Sequence, residues 1–168
     1  MEKPLTRFYL AVLFLSVAVW LGSLILKNVE IHTLLKFGTI EFSSSLTPET
    51  EMDSYRSFAE YSVITLVSYP VVLVSVIFFS ITTRRSFKQD GWLLMSVILF
   101  FLFVPLELYC FWYDWKIIGL AYWGYWPLEE FRKAFIQRLT LMAGLPFIAQ
   151  MCYFTIPILV ILKPLKKQ

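Results

Sequence analysis

Four long runs without a formal charge constrain this chain more than anything else in it. They are Phe8–Leu26, Tyr61–Thr83, Gly91–Leu106 (continuing past one acid to Tyr113) and Leu139–Leu162. A helix needs about 20 apolar residues to cross the hydrocarbon core of a bilayer, and each run is close to that length. A hydrophobic content of 58% and a mean hydropathy of +0.68 agree. The expectation is an all-α integral membrane protein, a four-transmembrane-helix bundle with spans at about 8–26, 61–83, 91–113 and 139–162. Compact domains usually need at least about 50 residues. Neither intervening segment, 27–60 or 114–138, reaches that, so 1–168 reads as one membrane domain.

Basic residues set the orientation. Lys3, Arg7, Arg84, Arg85, Lys88, Lys163, Lys166 and Lys167 fall on one side, with only Glu2 and Asp90 as acids. Short basic segments flanking spans mark the cytoplasmic side, which places both termini in the cytoplasm and 27–60 and 114–138 outside. The net charge of +3 is thus a topology signal, and no nucleic-acid motif accompanies it. The first run exceeds the usual signal-peptide core of about 7–15 residues and lacks a small-residue cleavage site, so it reads as a retained helix. Asn28 is followed by Val29 and Glu30 and is no glycosylation acceptor. A bacterial cytoplasmic membrane is the expected location.

Short amphipathic helical segments are expected in both extracytoplasmic loops. Ile31, Leu34 and Leu35 suit a short helix on the membrane surface, and Ser43–Ser45 reads as a turn. Thr47 can cap a helix opened by Pro48, Glu49 and Glu51; Met52, Tyr55, Ala59 and Ser62 follow at helical spacing, so this helix should enter span two unbroken. In the second loop Pro127, Glu129 and Glu130 open a helix whose Leu128, Phe131, Phe135 and Leu139 share a face. It should run directly into span four.

Within the spans, Ala11, Ala18 and Gly22 form a small-residue face that allows close helix approach. Thr65, Ser68, Ser75 and Thr82 make a polar interhelical stripe that should face other helices. Prolines 70, 105, 146 and 157 interrupt or bend the helices and free carbonyls inside the membrane.

Glu107 is the sharpest single residue. It lies about 16 residues, or roughly 24 Å by helical rise, from the inner end of span three. A charge in hydrocarbon costs at least a few kcal/mol unless it is paired, hydrated or protonated. Asp114 lies further along the same face, and Arg138 is the expected partner of Glu107, with Tyr109 and Tyr113 within reach. Two readings stand: a proton-handling or ligand-orienting carboxylate in an outward pocket, or an interhelical Glu107–Arg138 pair. Trp112, Trp115, Trp123 and Trp126 belong to a dense aromatic stretch. It reads as an interfacial belt on a surface or re-entrant loop that Gly119 and Gly124 let fold back, or as an aromatic rim around an apolar ligand.

Other chemistry has little support. His32 is the only histidine, so two-histidine haem ligation and multi-histidine metal sites within one chain are excluded. Cys110 and Cys152 differ in depth and should not form a disulfide. No nucleophilic triad or phosphate loop is present, and the sequence names no cofactor. Expected partners are membrane lipids, other membrane subunits or a second copy of the chain. The four-span plan with an outer helix after span one is similar in outline to small bacterial families of the DoxX type; no motif is shared, so the likeness implies no residue roles. Two functions fit: a non-catalytic subunit or lipid-associated scaffold, or a small membrane oxidoreductase or transporter for an apolar substrate around Glu107.

Overall fold

A computed structural model describes residues 4–36, 38–82, 90–124, 128–140 and 144–164. The expectations on Trp126 and Pro127, on the Thr82 side chain and on the basic residues at 83–89 and at both ends lie outside the described residues. Among the described residues six helices follow one another: α1 (Pro4–Leu34), α2 (Pro48–Thr82), α3 (Gly91–Leu102), α4 (Val104–Trp123), α5 (Leu128–Leu139) and α6 (Leu145–Leu162). The described residues contain no strand, only an isolated bridge between Leu35 and Phe42. Phe8–Leu34, Pro48–Ile81, Gly91–Trp123 and Leu145–Leu162 are long and apolar enough to cross a membrane.

Two helices outrun a bilayer. α1 has 31 residues and α2 has 35, about 46 and 52 Å by helical rise, against a hydrocarbon core of about 30 Å. The separate surface helix expected around Ile31, Leu34 and Leu35 does not form, because α1 continues through Lys27 to Leu34. The reason is burial: Ile31, Leu34 and Leu35 pack into a core instead of lying on a surface. α2 starts as its sequence dictates, with the Thr50 N–H donating to Thr47 Oγ1 at 3.3 Å, and it passes Pro70 unbroken.

The third apolar run is divided at Phe103. Pro105 has no N–H to give the Phe101 carbonyl; the Phe103 N–H bonds that carbonyl instead, and α4 begins with the Glu107 N–H on the Phe103 carbonyl at 3.0 Å. α4 then runs to Trp123, so the aromatic stretch is helical through most of its length and does not fold back at Gly119. Nor does α5 run into the fourth span. It ends at Leu139, and Gly144, in the left-handed region at φ 85°, starts α6 with Pro146 in its first turn.

α1 packs chiefly along α2, α2 along α4, α4 on α5, and α3 on α6. The Ala11 and Ala18 face points outward, and a Cβ on Gly22 would meet nothing within 4 Å; the buried face of α1 is the one carrying Trp20, Leu24, Ile31 and Leu34. Two apolar cores result. One, around Trp20, Tyr69, Phe100, Leu106 and Tyr153, lies among the apolar runs. The other, around Leu34, Tyr55, Phe58, Ile117, Phe131 and Phe135, fills a cap built from the ends of α1, α2 and α4 together with α5. The cap explains why segments too short to be domains are nonetheless folded: they share one core.

Candidate functional site

Between the two cores lies a layer of buried charge. Lys27 of α1 donates to Asp114 Oδ2 of α4 at 2.6 Å, and Arg138 Nε of α5 donates to Asp114 Oδ1. Lys27 is 2% exposed and Asp114 1%. Lys27 Nζ and Arg138 Cζ both lie over the Phe58 ring of α2, at 5.0 and 5.1 Å from its centroid, close enough for cation–π attraction. Three helices thus meet at one carboxylate, and α2 lays a ring against both cations. Burial opposes the charge on Arg138, but Asp114 more than offsets it and holds the guanidinium pKa above its ordinary value.

This corrects the expected Glu107–Arg138 pair: Arg138 takes Asp114 instead. Asp114 occupies the core position of α4 one turn nearer the cap than Cys110, level with the end of α5. Glu107 lies seven residues earlier, about 10 Å by helical rise. It is buried at 8% exposure, and no cation comes within 4 Å of it among the described ion pairs. It feels Lys27 and Arg138 at longer range and has Tyr153 as its nearest hydroxyl neighbour. Tyr109 and Tyr113 are not beside it. They stack edge-on against each other, 5.6 Å apart, with Tyr109 exposed. The hydroxyls of Tyr69 and Tyr153 and the Trp20 N–H are buried without a hydrogen bond of regular geometry.

Glu107, Lys27, Arg138, Cys110 and Gln150 wall a cavity of about 30 Å³ between α1, α4 and α6. That exceeds the roughly 10–15 Å³ needed by one water-sized group. Trp112, Trp115 and Trp123 stand exposed on α4 and do not line it. Of the polar stripe, Thr65 and Ser68 are buried, with Thr65 Oγ1 2.9 Å from Ser23 Oγ of α1, while Ser75 is half-buried. Among the described residues no three of His, Cys, Asp and Glu come together to hold a metal ion. Cys110 and Cys152 are both free thiols.

A second polar contact ties the cap. Glu51, buried on α2, receives Arg132 Nε and Nη2 of α5, each at 2.6 Å, and the Tyr55 hydroxyl at 3.1 Å. The hydrogen bonds from Arg132 to Glu51 raise the arginine pKa above its ordinary value. Sequence reading missed Lys27, Glu51, Arg132 and Tyr153. The signal for Lys27 was present: Trp20, Leu24, Lys27, Ile31 and Leu34 recur at spacings of four and three, which gives the lysine a core position.

Comparisons with protein-family models, with curated proteins and with solved structures give no match.

Proposed function

We propose that this chain is an integral membrane protein that crosses the bilayer four times, keeps both termini in the cytoplasm, projects the helical cap outward, and serves as a non-catalytic subunit or lipid-associated scaffold. The observation that carries this reading is the buried pairing of Lys27 and Arg138 with Asp114. Buried charges held this way fix helices against one another, which is a structural role. The cavity beside Glu107 takes one or two water-sized groups. Leu, Ile, Val and Phe side chains exposed along α1, α2 and α6 suit contact with acyl chains.

A second reading has one observation in its favour. Glu107 is a buried carboxylate without a close cation, which suits a small membrane oxidoreductase or transporter acting on an apolar substrate. Purification in mild detergent, followed by mass spectrometry of whatever co-purifies, separates the two. Lipids or membrane proteins without a redox cofactor are expected; a stoichiometric redox cofactor would replace the first reading with the second. Membrane-impermeant thiol labelling of single cysteines at positions 45, 122 and 86 checks the topology. Positions 45 and 122 should label from outside and 86 should be protected; the reverse pattern would invert it.

A further inference from the structure

α1 and α6 form the open seam of the bundle. Each packs closely on another helix, α1 on α2 and α6 on α3, and the two meet where the Trp20 and Tyr153 rings lie 4.7 Å apart; the seam opens on the cap side of that contact. Two compartments lie along this seam. The inner one is the cavity of about 30 Å³ at Glu107. The outer one, of about 460 Å³, is largely apolar and opens beside the end of α1 and the start of α6. Ile31, Leu139 and Phe147 wall both, so the compartments adjoin. The outer volume lies within the roughly 300–1,000 Å³ typical of small-molecule sites. The inner end presents a buried carboxylate with no ion-pair partner within 4 Å among the described residues.

The chemistry of the inner end selects a ligand tip. Its size admits about one heavy atom and its hydrogens. Glu107 calls for a hydrogen-bond donor, while Lys27, Arg138 and the Gln150 amide offer donors and call for an acceptor. A hydroxyl is both. An ammonium donates only and would face the positive charges of Lys27 and Arg138; an ether or ketone accepts only and leaves the carboxylate unmet. The apolar walls of the outer compartment suit a hydrocarbon body. We infer that the α1–α6 seam binds a membrane-resident alcohol, with its hydroxyl on Glu107 and its hydrocarbon body against Ile31, Leu139 and Phe147. This rests on the membrane reading above, because a membrane-resident alcohol would reach the outer compartment, at the cap end of the spans, from the outer surface of the bilayer.

The test is photo-crosslinking of the full chain in phosphatidylcholine nanodiscs. The probe is a 16-carbon alcohol with a mid-chain diazirine, compared with the methyl ether and the primary amine of the same chain. Crosslinked residues are mapped by mass spectrometry. The alcohol should label residues 24–31 and 146–150 at least roughly tenfold more than either analogue, and Glu107→Leu should remove that excess, as expected for a hydrogen bond to a charged group. Since Glu107→Leu can also disturb folding, unlabelled hexadecanol is tested on the wild-type protein. It should suppress seam labelling where its methyl ether does not. Labelling at lipid-facing residues such as Phe14 and Ile161 serves as a reference and should be equal for all probes. Reference labelling without seam enrichment, or equal enrichment by the amine or ether, overturns the alcohol site and leaves the membrane reading standing. Absence of reference labelling overturns both.

Discussion

Lys27 and Asp114 are 87 residues apart in sequence and 2.6 Å apart in the fold. Their contact joins the first apolar helix to the third where the membrane-type core gives way to the cap. Arg138 completes the arrangement from α5, so Asp114 balances two cations from two other helices. A buried charge is tolerated only when it is paired and hydrogen-bonded. The triad therefore works as a register pin: sliding α1 by one residue, about 1.5 Å, would leave charges unmatched in a buried layer.

Removing the shared carboxylate should cost more than removing one cation. Asp114→Ala strands both Lys27 and Arg138, and a loss of about 3–5 kcal/mol is expected. Lys27→Met leaves Asp114 with Arg138 and should cost clearly less. Thermal unfolding of the purified full chain in detergent reads the difference. Equal losses would show that Arg138 does not depend on Asp114. The triple change of Lys27, Asp114 and Arg138 to methionine or leucine should recover much of the lost stability, because well-packed apolar groups replace buried ion pairs at little cost.

Glu51 governs the cap alone. Glu51→Leu deprives Arg132 of both hydrogen bonds and Tyr55 of its acceptor, a loss of about 1–3 kcal/mol. The effect should be local. Hydrogen exchange should accelerate in α5 while α3 and α6 keep their protection. Uniform acceleration across all helices would show that cap and spans unfold as one unit.

Two glycines should respond in opposite directions to the same substitution. A Cβ meets no atom within 4 Å at either Gly144 or Gly119, so space decides neither. Gly144 stands at φ 85°, and alanine there should cost about 1–2 kcal/mol. Gly119 lies inside α4, where alanine is preferred to glycine by up to about 1 kcal/mol. Paired unfolding midpoints check this, and a stabilising Gly144→Ala would mean that the α5–α6 junction adopts another backbone in solution.

Hydropathy made the four apolar helices legible, and turn chemistry made the start of α2 legible, since Thr47, Pro48 and two acids act within one helical turn. The division at Phe103 was visible only as Pro105, and a proline does not say whether a helix bends or ends; Pro70 and Pro105 differ in outcome because tertiary packing decides. The α1 extension was hidden because a lysine at the end of an apolar run ordinarily marks the membrane edge. Only the spacing from Trp20 to Leu34 shows that Lys27 points inward. Pairing Arg138 with Glu107 failed for a related reason. Depth along the sequence ranked Glu107 as the more costly charge, whereas the height of α5 beside α4 selects Asp114, and that height is a property of the assembled cap.

The division of the third apolar run at Phe103 has a mechanical consequence. α3 takes its support from α6, while α4 takes its support from α2 and α5. The described helices therefore comprise a frame of α1, α2, α4 and α5 and a pair, α3 and α6, that is keyed to it through one aromatic core, where Tyr153 meets Trp20 at 4.7 Å and Phe100 meets Tyr69 at 6.0 Å between ring centroids. A displacement of α3 or of α6, which is 18 residues long, would therefore load these rings first, while the triad keeps the other four helices in register.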